Sequence, residues 1–273
     1  MVNLFGKANK TRGKSLDTHI HHLSIPLIVQ RTIEHADIIL EILDARFIDK
    51  TRNKEIEKII KKMGKSIIYI FNKSDLVDVN KIRREIELEN LKPHLFFSSK
   101  RRKHPSDLRN LLKAESKKIS KESVNIGVIG YPNTGKSSLI KSLAVKSKIR
   151  ISSESGHTKG AQKIKISEGL YFIDTPGIIP PKEKISFMED KHSQIGAVDW
   201  NKTKNSELAI HKIMQENPGL FEKYYKIEAD GDSEILIEEM GKKLHFFKKG
   251  NFIDEIRTAK RILRDWQEGK IKV

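Results

Sequence analysis

Two kinds of apolar spacing alternate along the earlier part of this chain, and the alternation predicts a layered α/β fold. The runs D-I-I-L-E-I-L-D (37–44), S-I-I-Y-I-F (66–71) and V-N-I-G-V-I-G (124–130) are short and rich in β-branched residues, the character of strands buried on both faces. Between them, apolar positions recur every three or four residues. Ile56, Ile59, Ile60 and Met63 share one helical face with Gly64 as a stop, and Leu108, Leu111 and Leu112 turn inward from a helix over 106–119. Further helices are expected over 26–34 and 80–90, a short strand at H-L-F-F (94–97), and two more strands over 163–167 and 170–173. Strands alternating with helices imply a parallel-rich sheet flanked by helices on both faces.

After Pro180 and Pro181 the strand pattern stops. Helical stretches follow over 206–215, 218–225 and 252–268, the last with Phe252, Ile256, Ala259, Leu263 and Trp266 on one face and Arg257, Lys260, Arg261 and Arg264 between them. The expected organisation is therefore an α/β domain over residues 1–182 and a small, mainly α-helical domain over 183–273. No apolar run is long enough to cross a bilayer, and the basic residues near the start precede no hydrophobic signal core, so a cytoplasmic protein with no membrane partner is expected. The absence of cysteine excludes disulfides, thiolate catalysis and cysteine-based zinc sites.

Charge adds a partner class. Lysine and arginine number 53 against 36 acidic residues, a formal net charge of +17, which points to a polyanion such as nucleic acid. A lysine- and glutamate-rich surface of the thermostable kind would explain the number of charges but not their imbalance. Candidate RNA contacts are Lys100 to Lys103, the stretch 242–249 and the arginines of the last helix; Phe246 and Phe247 inside the second stretch read as core before stacking platforms.

The chemistry gathers where strands end. The run over 124–130 enters G-Y-P-N-T-G-K-S, a phosphate-binding loop between a strand and a helix. Gly130 and Gly135 let backbone N–H groups turn inward at a helix N-terminus, Lys136 reaches the outer phosphates, and the Ser137 hydroxyl can bind magnesium. Asn133, Thr134, Gly135, Lys136, Ser137 and Ser138 are the nucleotide-contacting residues of this loop. The strand over 66–71 ends in Asn72, Lys73, Ser74 and Asp75. An N-K-x-D sequence suits guanine, because a carboxylate at Asp75 accepts from both the ring N–H and the exocyclic amino group, a donor pair adenine lacks. Lys73 can cover the purine face and Asn72 can tie this loop to the phosphate loop, while backbone N–H groups of Ser98, Ser99 and Lys100 would meet the guanine carbonyl. Asp174, Thr175, Pro176 and Gly177 end another strand; Asp174 would act on magnesium and the Gly177 N–H would sense the terminal phosphate. Thr158 is the candidate for a mobile threonine that closes on magnesium, making Ser137, Thr158 and Asp174 the expected metal set.

The base-reading motif precedes the phosphate loop, the reverse of the usual order. With D-A-R at 44–46, N-K-S-D, S-S-K, G-Y-P-N-T-G-K-S-S and D-T-P-G in this sequence order, the chain resembles the circularly permuted GTPases of the YlqF/YawG family. The resemblance implies a P-loop GTPase fold with permuted motif order, GTP or GDP with Mg2+ as ligands, and assembly of the large ribosomal subunit as the setting. It also implies the ribosome or its precursor and its rRNA as partners, a monomer off the ribosome, and a GTP/GDP state that controls the helical domain. Asn133 is similar to the asparagine of potassium-stimulated GTPases, which implies K+ near the phosphates. Family members carry a histidine implicated in hydrolysis within a glycine-histidine-methionine segment; His21 falls in the matching place, flanked here by Ile20 and His22, and His157 is another option. His21, Lys136 and Thr158 are thus the expected catalytic set, with Ile178 where other GTPases carry a water-orienting glutamine. Turnover is expected to be slow until the ribosome stimulates it. The alternative is a GTP-regulated RNA-binding or scaffold protein with negligible turnover; an ATP-driven motor is disfavoured by Asp75.

Overall fold

The computed structural model describes residues 27–100, 105–143, 163–173, 193 and 195–273. In chain order the elements are α1 (Leu27–His35), β1 (Ile38–Asp44), α2 (Ile48–Thr51), α3 (Lys54–Lys62), β2 (Ser66–Asn72), a 3-10 turn (Ser74–Leu76) and α4 (Val79–Leu88). Then come β3 (His94–Phe96), α5 (Pro105–Ser116), β4 (Val124–Gly130), α6 (Lys136–Leu143), β5 (Lys163–Ser167) and β6 (Leu170–Ile173). The last are α7 (Ser206–Glu216), α8 (Leu220–Tyr225), α9 (Ser233–Lys243) and α10 (Glu255–Gln267).

Six strands form one sheet in the order β3-β2-β1-β4-β6-β5, parallel except for β5 against β6. Every residue of β1 is buried because both sheet faces are covered. Period-two alternation divides its side chains: Ile38, Leu40 and Ile42 pack with Leu108, Leu112 and Leu139 on one face, while Ile39 and Leu43 pack with Val29, Ile33, Ile56 and Ile60 on the other. Each such isoleucine or leucine contributes about 1.5–3 kcal/mol of burial free energy. Gly127 lets α1 lie close to β4, since a Cβ there would fall 2.8–2.9 Å from Ile39, Ala36 and Thr32.

The later helices build a separate apolar cluster from Ala209, Ile210, Ile213, Phe221, Leu236, Ile237, Met240, Ala259, Ile262, Leu263 and Trp266. Phe47 and Tyr131, which follow β1 and β4, enter the same cluster and seat it at the carboxyl edge of the sheet. The expected division between residues 182 and 183 falls outside the described residues.

The sequence pattern missed α9, an acidic helix whose start is fixed by the Asp232 side chain accepting from Glu234 and Ile235 N–H groups. It also placed the start of α10 too early. The Asp254 carboxylate caps the Arg257 N–H, so the helix begins at Glu255, and Phe252 and Ile256 are 73% and 54% exposed instead of inward. The buried face of α10 runs through Ala259, Ile262, Leu263 and Trp266. Phe247 is likewise exposed, contrary to the core reading.

A buried acidic pair lies beneath β1. Glu57 accepts from Arg52 Nε and Nη2 at 2.7 and 2.9 Å and from Tyr69 Oη at 3.1 Å, and these partners hold its carboxyl below the usual range despite its burial. Glu41 accepts from the Asn53 N–H at 3.0 Å, and burial first, then the Glu57 charge, pushes its carboxyl up to about 8. The folded state keeps a proton that the unfolded chain releases near pH 4.5, so this contribution to stability is complete below that pH and lost as pH rises through about 8. Thermal midpoints measured across that window should fall for the parent chain and stay nearly level for Glu41→Gln, whose side chain is neutral throughout.

Candidate functional site

The parallel register aligns β1, β2 and β4 so that their final residues share one edge: Asp44 pairs with Asn72, and Ile42 with Gly130. From β4 the chain turns sharply through Gly130 (φ +148°), where a Cβ would lie 2.5 Å from the Ile42 carbonyl oxygen, and Gly135 (φ +100°). Thr134 Oγ1 donates to the Tyr131 carbonyl at 2.9 Å, tightening the loop. α6 opens at Lys136 immediately afterwards, so its first-turn N–H groups and the positive end of its dipole face the loop. The Lys136 ammonium donates to the Tyr131 and Gly130 carbonyls at 2.6 and 3.1 Å, inside the same turn. Ser137 and Ser138 are exposed in the first turn of α6. A lysine and a hydroxyl at such a helix start form a cradle for phosphate oxygens with a hard ligand for a divalent cation.

Asn72 joins the two loops. Its Nδ2 donates to the Thr134 carbonyl at 2.7 Å, and its Oδ1 accepts from Ser99 N and Oγ at 3.2 and 3.1 Å. Asn72 and Thr134 are buried and Ser99 is half-buried, so the phosphate loop, the N-K-S-D turn and the S-S-K loop are held in one geometry. Ser74 Oγ donates to the Phe97 carbonyl at 2.9 Å, and Ser98 Oγ to Asp75 Oδ1 at 2.6 Å, which orients the half-buried Asp75 carboxylate. Lys73 takes a left-handed backbone conformation (φ +61°) that turns its side chain back toward β1.

There it meets Asp44, which is fully buried. Asp44 Oδ2 accepts from Lys73 Nζ at 2.6 Å and from Arg46 Nη2 at 2.9 Å, while Oδ1 accepts from Arg46 Nε at 3.0 Å and from the Arg46 N–H at 3.1 Å. Burial alone would raise this carboxyl; Arg46 and Lys73 outweigh it and hold it near 2. Burial pushes the Lys73 ammonium down, with Asp44 pulling the other way.

Between these loops lies a cavity of about 290 Å³ lined by Asn72, Lys73, Asp75, Ser99, Lys100, Asn133, Gly135 and Ser138. Leu76, Gln267 and Glu268 complete its wall, the last two at the end of α10. Asn133 Nδ2 donates to the Gly196 carbonyl at 2.7 Å, so the residue expected near potassium also holds the segment leading to the later helices.

The structure thus brings together Asn72, Lys73, Ser74, Asp75, Ser98, Ser99, Lys100, Asn133, Thr134, Gly135, Lys136, Ser137 and Ser138. His21, Thr158, Asp174, Thr175, Pro176 and Gly177 lie outside the described residues; of the expected metal ligands only Ser137 is described. Ser137 supplies a hard oxygen donor at a helix start, which fits magnesium. The sequence reading missed the tie between Asp44 and Lys73 and the contribution of Gln267 and Glu268. The D-A-R at the end of a buried strand is the signal for the first, since a buried acid beside an arginine has to be paired. The second has no local signal.

The profile of the 50S ribosome-binding GTPases matches residues 125–244. The chain is 35% identical over 250 residues to an uncharacterized GTP-binding protein of Methanocaldococcus jannaschii, covering 89% of this chain and 65% of that protein. It is 32% identical over 248 residues to nucleolar GTP-binding protein 2 of Saccharomyces cerevisiae, covering 88% and 51%. The chain therefore spans about half to two thirds of the length of these relatives. A GNP-bound structure of YlqF from T. maritima superposes with a TM-score of 0.65 at 20% identity, covering 89% of this chain and 92% of that one. Its GDP-bound structure gives 0.64 at 21%, covering 89% and 94%, so the two chains share a fold.

Gly135→Ala tests the bridge between the loops. The added Cβ would collide with the Asn72 carboxamide at a φ that L-residues rarely adopt. Affinity for GDP, read by titration calorimetry, should fall at least roughly tenfold, the equivalent of one lost buried hydrogen bond or more.

Proposed function

We propose that the chain is a circularly permuted GTPase of the YlqF/YawG family, a reading supported by its motif order, the profile match and the shared fold, and that it binds and hydrolyses GTP during assembly of the large ribosomal subunit. The observation that carries this reading is the Asn72 carboxamide, whose hydrogen bonds to Thr134 and Ser99 join the N-K-S-D turn and the 130–136 loop beside one cavity, which supports reading them as the base and phosphate ends of a single site. Guanine lies against Asp75, which accepts from its ring N–H and amino group; the Ser98 hydroxyl fixes the carboxylate for that task. Adenine would leave the carboxylate without a donor, a loss that discriminates strongly. Lys73, tethered to Asp44, lies along the purine face.

At the other end, the backbone of 130–136 surrounds the phosphates, and Lys136 exchanges its two carbonyl partners for phosphate oxygens. Magnesium, when bound, neutralises charge that develops on the phosphoryl oxygens. Ser137 would hold it together with Thr158 and Asp174. Asn133, similar to the asparagine of potassium-stimulated GTPases, would also serve a potassium ion there. Ile178 cannot orient water, so His21 or a group supplied by the ribosome does, and turnover by the isolated chain is slow.

Contact with rRNA is proposed at the exposed side of α10. A cavity of about 420 Å³ there is lined by Trp200, Phe246, Arg257, Lys260, Arg261 and Arg264, with Arg257 4.0 Å from the centre of the Phe246 ring and Arg264 5.3 Å from that of Trp200. Cationic groups beside ring faces suit an unpaired nucleotide and its phosphate. The chain's net charge of +17 has the sign this needs.

GTP turnover measured with and without large subunits, in potassium and in sodium buffers, tests the central proposal. Stimulation by subunits in potassium is expected, and Asp75→Asn should move preference from GTP toward xanthosine triphosphate. GTP binding without turnover under every condition would instead favour a GTP-regulated scaffold. For the RNA surface, Arg257→Glu with Lys260→Glu should weaken binding to large-subunit rRNA roughly tenfold or more and flatten its salt dependence; unchanged affinity would remove α10 from the contact.

A further inference from the structure

The base end of the cavity is bounded by the later helices as well as by the guanine-reading turn, and one buried ion pair touches both. Arg46, its side chain almost wholly buried, donates through Nε and Nη2 to Asp44 and through Nη1 to the Trp266 carbonyl at 2.9 Å, the last turn of α10. Its guanidinium carbon is 4.9 Å from the centre of the Phe47 ring and 5.5 Å from that of Trp266, with the two rings 5.7 Å apart. Asp44 in turn holds the Lys73 ammonium. A planar fork with three donor directions is used in full here, and lysine has no equivalent geometry.

Direct packing runs beside this relay. Gly269 (φ +70°) leaves no room for a Cβ against Leu76, the residue after Asp75, and the Val273 N–H donates to the Leu76 carbonyl at 3.2 Å. Gln267 and Glu268 line the cavity that Lys73 and Asp75 line. Gln267 also donates to the Ser193 and Val198 carbonyls at 2.6 and 3.1 Å and accepts from the Trp200 N–H at 2.9 Å, bracing the segment that Asn133 holds through Gly196.

We propose that Arg46 is a positioning residue that latches the end of α10 to the guanine-reading turn, making residues 266–269 part of the guanine site. Occupation by a guanine nucleotide and seating of the later helices then reinforce each other, because each holds Lys73, Asp44 and Arg46 in the arrangement the other needs. This rests on the proposed guanine reading of the cavity. The members of the relay, Lys73, Asp44, Arg46 and Trp266, all stand at the base end, and neither Lys136 nor Ser137 belongs to it. The coupling therefore responds to the guanine moiety and is indifferent to the number of phosphates, which separates it from a switch driven by GTP hydrolysis.

Hydrogen exchange of the backbone amides over 262–271, measured without nucleotide, with GDP and with a nonhydrolysable GTP analogue, tests it on the full chain. Equal slowing by both nucleotides is expected, roughly tenfold, within the usual span of coupling between sites. Arg46→Gln should weaken GDP binding by a similar factor and leave exchange over 262–271 unresponsive to bound GDP, with Arg46→Lys restoring neither. Because Arg46→Gln removes the main partner of a buried carboxylate, the double variant Asp44→Asn/Arg46→Gln, which leaves no buried carboxylate unpaired and only the partly exposed Lys73 ammonium without its acid, provides the same comparison. GDP binding with unchanged exchange over 262–271 in the parent chain, or slowing by the GTP analogue alone, overturns the latch while leaving the guanine site intact. Absence of GDP binding in the parent chain would overturn the guanine reading itself, and the latch with it.

Discussion

The pairing of β1 with β2 on one side and β4 on the other is the constraint on which the structure depends. In-register parallel pairing brings Asp44, Asn72 and Gly130 to a single edge although they are distant in sequence. Parallel strands finish at the same edge only when each return passes over a sheet face, so helices cover both sides and polar loops collect at the carboxyl ends. The phosphate cradle and the base-reading turn lie side by side for this reason. Their order along the chain is immaterial to the site, provided that β1 remains between the strands that carry them.

The same strand carries two buried carboxyls held in opposite states. Glu41, in the middle of β1, is deeply buried beside a neighbouring acid, which favours its protonated form. Asp44, at the edge, has an arginine and a lysine and stays ionised. Neutrality in the sheet interior and charge at its rim is what desolvation demands, because an ion is sustained only where partners replace its water. Asp44 consequently has partners on two sides, one from the base-reading turn and one that reaches the later helices.

Much of this arrangement was legible in the sequence. All six strands of the described sheet lie on runs expected from the sequence, β1, β2 and β4 by length and β-branched content and the rest by short apolar spacing, and Gly130, Gly135, Asn72 and Asp75 follow from the stereochemistry of phosphate and guanine binding. The tie from Asn72 to the phosphate loop could be read as well. What escaped was set by long-range contact. α9 is rich in glutamate, and its inward residues Leu236, Ile237 and Met240 make a stripe too short to stand out before the cluster it joins is known. Phe252 and Ile256 continue the apolar spacing of α10, yet the Asp254 cap starts the helix after Phe252 and the cluster ends before Ile256. Gln267 and Glu268 reach the cavity only through the docking of a helix against Phe47 and Tyr131, which no local pattern encodes.

The position of β4 in the sheet also bears on synthesis. Residues 38–96, with β1, β2 and β3, leave the ribosome before β4, and domains generally organise from their N-terminal side as they emerge. Until β4 arrives, the Ile38–Ile42 edge of β1 presents unpaired backbone groups along an apolar strand, the kind of template that invites wrong partners. A nascent chain of this design therefore passes through a stage in which its half-built sheet has to be shielded, and insertion of the phosphate-loop strand brings that stage to a close.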